Sequence, residues 1–364
     1  MSFALNVPLN GVSFGQLSTA ISKEIMLRGE QPAFFPIGQV DLSAQGEDAE
    51  FIEWLNKCTM LGLNEHSREN PSIKLWHLNN DSVLSPSTRQ SLITFYELDS
   101  PTPHELNVIK NNDKVYVTSE YTKEVFTSAG ADNVKYLPLF FDSRNFQRKD
   151  DTFYSDDRIT FNVAGKFEKR KHHAKILNTW AKKFGNSKKF YLNCALYNSF
   201  LKPEDNEALV RSSLQGENYF NINCLSFMGK NSVYNDFLNS GDIIIGMSGG
   251  EGWGLPEFQS VAMGKHSVIL NANGYKSWAN EKNSILVEPR SDKIPAYDGM
   301  FFNKGNAVSQ GNIFDWDEDD FISACEEAIK RVETDKLNKE GLELQSEFSV
   351  DKTVDILLSD VAEK

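Results

Sequence analysis

The most informative stretch of the sequence is residues 248–260, which read Ser-Gly-Gly-Glu-Gly-Trp-Gly-Leu-Pro-Glu-Phe-Gln-Ser and follow the apolar run 242–247. Its glycines let bare backbone approach a ligand, and the start of a helix presents N–H groups whose partial positive charge suits phosphate. Glu251 would place a carboxylate at the same point, which suits a ligand whose neutral hydroxyls donate hydrogen bonds to it. The stretch therefore predicts a site for a sugar joined to a diphosphate. A plain connecting turn is the alternative.

A second group of candidate residues is basic and also follows an apolar run. Residues 163–172 read Val-Ala-Gly-Lys-Phe-Glu-Lys-Arg-Lys-His. Lys166 and Lys171, with Arg170 nearby and Gly165 ahead of them, could converge on a diphosphate and neutralise the charge that develops as it leaves. A solvated basic turn is an equally good interpretation of these residues taken alone.

A third glycine-containing loop lies near the beginning of the chain, at residues 7–18. The spacing of Gly11 and Gly15 is Gly-x-x-x-Gly, which differs from the Gly-x-Gly-x-x-Gly of dinucleotide-binding loops. A nicotinamide cofactor is therefore not supported. We still expect this loop, with Gly15, to approach a ligand.

Acidic residues provide two further candidate sites. Glu97 and Asp99 are predicted to end a strand and could orient the hydroxyl groups of an acceptor, although they could equally cap a helix that begins near residue 103. Asp315 and Asp317 form an Asp-x-Asp, the pattern of metal-dependent transferases. They precede a predicted helix at 319–332 and continue into further acidic residues, so we interpret them as charges at a helix N-terminus and predict no metal site.

These motifs must be positioned by the surrounding elements, which alternate between strand-like and helix-like patterns from end to end. This alternation predicts an α/β protein with parallel sheets and crossover helices. Helical patterns include 50–60 and 119–129. The predicted strands are 3–8, 33–37, 73–78, 92–98, 114–118 and 134–137 in the first half, and 159–164, 189–194, 222–227, 242–247, 267–270 and 284–287 in the second.

The length of 364 residues favours two domains. A polar, charged stretch at 142–158 interrupts the apolar pattern, and we place the interdomain linker there. The resulting units are an N-terminal domain at 1–145, a C-terminal domain at 159–340 and a C-terminal helix at 348–364 that could pack on either domain, including by crossing back to the first. Two such units would bring the carboxyl ends of both sheets to a shared cleft.

Composition restricts the partners. The net charge of −13 disfavours a general DNA-binding protein, because the surface as a whole repels polyanions. The four cysteines lie far apart without a Cys-x-x-Cys pair, which favours reduced thiols over a disulfide framework. No apolar stretch approaches the length of a membrane span, so we expect a cytoplasmic protein, with a peripheral membrane contact left open.

Together these motifs resemble those of the GT-B glycosyltransferases, and specifically the retaining "group 1" family that includes glycogen synthase-like and mannosyltransferase enzymes. The resemblance covers nearly the whole chain and implies two Rossmann-like domains that face each other across a central cleft. It is most specific in residues 248–260 followed by 261–270. The supporting segments are 7–18, 95–106, 117–127 and 163–171.

The resemblance also implies roles for individual residues in the donor half. Lys166 stands where the family usually has an Arg on the donor diphosphate, and Lys171 stands where the family has a Lys. Glu251 is implied to contact the transferred sugar. Backbone amides would come from Gly252, Trp253, Gly254 and Leu255. No essential metal is implied.

The chain departs from the family at several positions. Gln259 occupies the place of a second Glu that is implied to hold the nucleotide ribose, which puts nucleotide affinity and identity in question. Phe140 replaces a glycine before Asp142, so the hinge could be stiffer. His77 would match a histidine of the catalytic region, although another register would place Asn79 there.

We therefore expect a retaining, metal-independent hexosyl- or pentosyltransferase that uses a UDP- or GDP-linked sugar as donor and no cofactor. The acceptor stays open among saccharides, lipids, small molecules and modified DNA. A phage-type enzyme acting on 5-hydroxymethylated bases would be favoured by a basic cleft in the N-terminal domain. The residues that could form this cleft are Lys23, Arg28, Lys74, Arg89, Lys110 and Lys114. A sugar-nucleotide epimerase and a non-catalytic sugar-nucleotide-binding relative are further alternatives.

Overall fold

A computed structural model describes residues 2–46, 48–149, 153 and 157–363. Within these residues, two six-stranded parallel sheets are each flanked by helices. The predicted α/β class is confirmed. Every predicted strand forms, and several are shorter than predicted because the chain leaves the sheet before the apolar run ends.

The first sheet is built from the N-terminal part of the chain, with strand order β2-β1-β3-β4-β5-β6. Its central strands are buried and its connections are helical. The strands are β1 (Ala4–Val7), β2 (Ala33–Pro36), β3 (Ser72–Leu75), β4 (Gln90–Thr94), β5 (Lys114–Val117) and β6 (Val134–Tyr136). The helices are α1 (Ser13–Leu27), α2 (Ala49–Asn64), α3 (Pro103–Lys110) and α4 (Glu120–Ser128), with a 3-10 helix at Asn80–Val83.

The second sheet has the order β12-β11-β10-β7-β8-β9. The strand β10 is apolar and fully buried, as a central parallel strand should be. The strands are β7 (Ile159–Gly165), β8 (Phe190–Leu196), β9 (Ile222–Cys224), β10 (Ile243–Gly246), β11 (His266–Leu270) and β12 (Ile285–Val287). The helices are α5 (His173–Phe184), α6 (Pro203–Ser213), α7 (Asn231–Ser240), α8 (Leu255–Ala262) and α9 (Glu318–Thr334), with 3-10 helices at Lys169–Lys171 and Asn273–Ser277.

One feature that the sequence did not predict is a short antiparallel pair, β13 (Ile294–Pro295) with β14 (Asn312–Ile313). This segment reaches across to the N-terminal sheet. The backbone N–H of Ser309 donates to the carboxylate of Glu105 at 2.7 Å. The segment that contains β13 and β14 therefore holds the two halves of the molecule together.

The chain ends with α10 (Lys339–Leu342), α11 (Leu344–Glu347) and α12 (Val350–Ala362). The helix α12 lies against the N-terminal half, where Arg28 pairs with Asp355 at 2.5 Å and Lys114 pairs with the buried Asp360. Phe140 is buried beside Phe141, whose N–H donates to the carbonyl of Phe348 at 2.8 Å.

The domain boundaries at 1–145, 159–340 and 348–364 stay predictions, and part of the predicted linker at 142–158 lies outside the described residues. Among the described residues, no helix combines the length and the apolar character that a membrane crossing requires.

Candidate functional site

The glycine-rich turn connects β10 to α8 and is pressed closely against its surroundings. Gly254 has a φ of 84°, and a Cβ atom there would lie 2.1 Å from the ring of Tyr275. A Cβ atom at Gly250 would lie 2.6 Å from the carbonyl oxygen of Glu97 in the N-terminal half. Glycine is therefore needed at both positions. At Gly254 the positive φ and the Tyr275 ring exclude a side chain, and at Gly250 the bare backbone contacts the N-terminal half.

The turn presents unpaired backbone donors at the start of α8. No hydrogen-bond acceptor within the described chain faces the N–H groups of Gly252, Trp253, Gly254 and Leu255. These are the amides that the resemblance implied for the donor. The Trp253 indole, in contrast, is 1 % exposed and packs against Phe258, so only its backbone is available to a ligand.

Glu251 is buried beside two cations. The ammonium of Lys171 donates to its carboxylate, and the guanidinium of Arg170 lies 3.3 Å away. Burial alone would raise the pKa of Glu251, but Lys171 and then Arg170 outweigh burial and hold the pKa below its ordinary value. Glu251 is therefore ionised at neutral pH.

Arg170 joins this pair to further carboxylates. Its guanidinium donates to the carbonyl of Gly250 at 2.6 Å and pairs with Glu168 at 2.9 Å. It also lies 3.6 Å from Glu97 of the N-terminal half. We call Glu97, Glu168, Arg170, Lys171 and Glu251 the charge cluster. Two cations and three carboxylates thus meet where the two halves touch.

Lys166 has ion-pair and ring partners other than Glu251, and its convergence with Lys171 on a diphosphate stays a prediction. Lys166 pairs with Glu168, and its ammonium lies 3.8 Å from the centre of the Phe301 ring and 5.3 Å from that of Phe200. The cause is local, because Glu168 follows Lys166 by two residues and aromatic rings attract an ammonium. Lys171 and Arg170 take the place beside Glu251 instead.

His77 follows β3 on the N-terminal side of the site. Its ring meets Phe14 edge to face at 4.5 Å between centroids. Burial, and to a lesser extent the nearby ammonium of Lys166, lowers the pKa of His77. Its imidazole is therefore neutral at pH 7. Asn79, the alternative register, instead uses its side chain to accept the N–H of Asp81.

The glycines at the other two loops have packing partners. A Cβ atom at Gly15 would lie 2.3 Å from the backbone of Asn10, so this glycine closes the first turn of α1 onto its own loop. Gly165 has a φ of 135°, and a Cβ atom there would lie 3.3 Å from the side chain of Lys171. Both glycines let the loops fold tightly. Gly165 also makes room for Lys171.

Glu97 and Asp99 behave differently from each other. The strand β4 ends at Thr94, so the prediction that these residues end a strand is wrong. The alternative, that they cap the next helix, is also wrong, because Thr102 caps α3 with Glu105. Glu97 faces Arg170 as described. Asp99 is bound to the segment that carries β14.

Asp99 accepts the N–H of Asn312 at 2.8 Å and pairs with Lys293 at 3.0 Å. These contacts hold the N-terminal half to the C-terminal half. Asp99 is thus occupied in fastening the halves, and the interpretation of Asp99 as an acceptor ligand loses support. Asp317 caps α9 by accepting the N–H of Asp319, and Asp315 pairs with Lys175 at 2.7 Å.

Gln259 lies in the second turn of α8, eight residues beyond Glu251 in the sequence, and is 8 % exposed. Glu257 lies between them and was missed in the sequence, although it stands in the same motif. One of its carboxylate oxygens is buried without a hydrogen-bond partner. Burial raises the pKa of Glu257 to about 7, with Lys171 opposing this shift and Glu251 adding to it.

Most of the basic residues proposed for a cleft in the N-terminal half are bound by other groups of the chain. Most of them bind carboxylates or backbone carbonyls, so they give no support to a basic cleft for DNA. The contacts are Lys23 with Asp48, Arg28 with Glu24 and Asp355, Lys74 with the carbonyls of Asp81 and Leu84, Arg89 with the carbonyl of Glu363, and Lys114 with Asp360 and Glu363.

A cavity of about 410 Å³ opens at the carboxyl ends of β1, β2 and β3. It combines apolar walls with a few polar groups, as small-molecule sites usually do. Trp76 belongs to its wall, and the Trp76 ring lies 5.3 Å from that of His77. The other lining residues are Asn6, Phe35, Pro36, Ile37, Lys74, Asp81, Leu84, Ser85 and Pro86.

Comparison with known proteins gives structural matches only, since no family model and no curated protein matches the chain. Sucrose-phosphate synthase from Thermosynechococcus elongatus is 13% identical, with a TM-score of 0.66 over 99% of this chain and 98% of its own. A glycosyltransferase from Rickettsia africae is 13% identical, with a TM-score of 0.67 over 100% and 98%.

HepE from Anabaena, solved in complex with UDP-glucose, is 13% identical, with a TM-score of 0.63 over 99% of this chain and 100% of its own. The matches extend over whole chains, so the relation includes both sheets and their arrangement. The predicted GT-B architecture is confirmed: the fold is that of the GT-B glycosyltransferases.

The unusual pKa of Glu257 predicts a pH-dependent stability. Its folded-state pKa of about 7 lies above its ordinary value of 4.5, so the stability it contributes is complete below about pH 4.5 and is lost as the pH rises through about 7. We expect Glu257→Gln to remove this loss. Urea unfolding of both proteins between pH 5 and pH 8 measures it.

The matched control is Glu327→Gln, which alters a half-exposed carboxylate on α9. The control variant should keep the pH dependence of the unmodified protein. Parallel stability curves for Glu257→Gln and the unmodified protein over this range would contradict the assignment.

Proposed function

We propose that this chain is a glycosyltransferase that moves a sugar from a nucleoside diphosphate to an acceptor hydroxyl. The observation that carries the proposal is the place of the charge cluster: Glu251, Lys171 and Arg170 lie beside the unpaired amides that begin α8. Free N–H groups begin every helix, but neither a folded core nor a simple turn requires a buried cluster of charges beside them. A diphosphate would bind the cations and the free N–H groups, and the hydroxyls of a sugar would bind the carboxylate.

The pair of Glu251 and Lys171 suggests how the donor is bound. Diphosphate oxygens compete with Glu251 for the ammonium of Lys171, and sugar hydroxyls then replace that ammonium as donors to Glu251. Lys171 thus exchanges the carboxylate for phosphate oxygens, and Glu251 exchanges the ammonium for sugar hydroxyls. The buried charges therefore stay compensated when the donor enters, and the exchange avoids the cost of an unpaired buried charge.

The same residues would lower the barrier for breaking the bond between the sugar and the diphosphate. Negative charge grows on the leaving phosphate, and Lys171, Arg170 and the amides of Gly252 and Gly254 are fixed donors around it. We propose a retaining reaction by front-face displacement, in which the leaving phosphate assists the acceptor hydroxyl. We propose that this reaction needs no metal and no cofactor.

We propose that the acceptor enters from the N-terminal half, between the 410 Å³ cavity and the charge cluster. The imidazole of His77 is neutral and can accept a hydrogen bond from a hydroxyl. Glu97 belongs to the N-terminal half and lies 3.6 Å from Arg170, so its carboxylate is also next to the charge cluster. The Anabaena neighbour was solved in complex with UDP-glucose, which supports a UDP-linked sugar as the first donor to test.

The proposal predicts that a nucleoside diphosphate stabilises the protein against heat. A ligand at a hundred times its dissociation constant adds about 2.7 kcal/mol, so UDP or GDP, alone or sugar-linked, should raise the melting temperature. Lys171→Met should abolish the rise. The control Lys182→Met changes an exposed lysine on α5 that pairs with Glu318, and should keep it.

Turnover measurements distinguish a glycosyltransferase from a sugar-nucleotide epimerase and from a non-catalytic relative. Release of nucleoside diphosphate from the sugar nucleotide should be abolished in Glu251→Gln, because the neutral amide loses the charge-assisted hydrogen bonds from the sugar hydroxyls. An isomerised sugar nucleotide formed without acceptor would identify an epimerase. Binding without any turnover would identify a non-catalytic relative. The absence of a thermal shift with every nucleoside diphosphate would reject the proposal.

Gln259 gives a separate test of how the motif aligns with the family. A glutamine side chain can donate and accept with ribose hydroxyls, whereas a carboxylate only accepts. Gln259→Ala should weaken nucleoside diphosphate binding by about 1 to 3 kcal/mol, and Gln259→Glu should preserve it. Calorimetry measures both.

The control for this series is Gln31→Ala, at an exposed position outside the site. Its affinity should equal that of the unmodified protein. If Gln259→Ala binds every nucleoside diphosphate as tightly as the control does, Gln259 does not touch the donor.

A further inference from the structure

Two cysteines that are 30 positions apart in the sequence are neighbours in the fold. Cys194 on β8 is the register partner of Cys224 on β9, the strand at the edge of the second sheet. Adjacent parallel strands run about 4.8 Å apart, and register partners point to the same face of a sheet. A disulfide needs Cα atoms about 4.4 to 6.8 Å apart. The Cα spacing of this pair is therefore compatible with a bond between the two thiols.

The two thiols differ in environment in the way that a redox pair requires. Cys224 is exposed, whereas Cys194 is 1 % exposed. A hydrogen bond from the Cys194 thiol lowers the pKa of Cys224 to about 7, against the opposing effects of burial and of Glu207. Burial raises the pKa of Cys194. One accessible sulfur is thus an available nucleophile, and its protected neighbour keeps its proton.

We propose that Cys194 and Cys224 form a reversible oxidation site, in which peroxide converts the two thiols into a disulfide within one chain. The site is independent of the proposed sugar transfer. The other cysteines, Cys58 and Cys325, are buried, and each has its pKa raised by burial. They should not react under the same conditions.

The chemistry proceeds in two steps. The Cys224 thiolate attacks one oxygen of hydrogen peroxide and the O–O bond breaks, which forms a sulfenic acid at Cys224 and releases hydroxide. The hydroxide and the proton that the Cys224 thiol has lost make the first water. The Cys194 sulfur then attacks the Cys224 sulfur, the S–O bond breaks, and the hydroxyl leaves with the thiol proton as water. Two thiols lose two electrons in total, and one peroxide becomes two waters. A dithiol reductant reverses the change.

The bond would join the edge strand to its neighbour close to the candidate site. Beyond Cys194, the N–H of Tyr197 donates to the carbonyl of Gly165 at 3.3 Å, at the end of β7 and ahead of the turn with Lys171. Cys224 is the last residue of β9, so the bond would lie toward the carboxyl ends of the strands, where Lys171 follows β7 and Glu251 follows β10.

The test uses the full chain, reduced and then treated with hydrogen peroxide. Thiols are counted after denaturation, and tryptic peptides are mapped without reduction. Four thiols should fall to two, with a Cys194–Cys224 cross-linked peptide, and dithiothreitol should restore all four. The rate of alkylation of Cys224 by iodoacetamide should rise with a midpoint near pH 7.

Matched variants make the outcome specific. Cys224→Ser should lose no pair of thiols, and Cys58→Ser and Cys325→Ser should still lose two. Because Cys194 is buried and its replacement could unfold the chain, the peptide map of the unmodified protein identifies this partner directly. Oxidation of Cys224 to sulfinic acid with Cys194 still a thiol, or cross-linked dimers in place of the internal bond, would overturn the proposal.

Discussion

The ion pair between Glu251 and Lys171 is the interaction on which the rest of the site depends. Both side chains are about nine-tenths buried, and removing two charges from water costs more than their attraction returns unless further partners are present. Arg170, Glu168 and the neighbouring carbonyl supply those partners. A buried pair is a poor way to stabilise a fold, and the proposed donor would use the same charges at the junction of the two sheets.

The second sheet brings this pair together from distant parts of the sequence. Lys171 follows β7 and Glu251 follows β10, and these strands are neighbours in the second sheet, so both residues emerge at the same carboxyl edge. The N-terminal half then closes against that edge through Glu97 and the hydroxyl of Thr118, which donates to the carbonyl of Gly252 at 2.8 Å. The fold thus positions the charges before any ligand binds.

Much of this could be predicted from the sequence, because strand periodicity and the glycine-rich turn are local signals. The strand β10 and the turn with Glu251 follow directly from residues 242–260. The partner of a charged side chain, in contrast, often lies far away in the sequence. The ammonium of Lys166 lies over the ring of Phe301, in the segment between β13 and β14, and no pattern in the sequence indicated that contact. The neighbouring cysteines were missed for the same reason, since strand order decides which residues meet.

The central claim is that the pair of Glu251 and Lys171 serves a ligand and does not stabilise the fold. The most direct test is the free energy of unfolding, without ligand, of the double variant Lys171→Met/Glu251→Gln. If the claim holds, the double variant is as stable as the unmodified protein or more so, since Arg170 keeps its contacts with Glu168 and Glu97. A loss of about 3 kcal/mol or more in the double variant, as large as removal of one partner alone would cause, would contradict the claim.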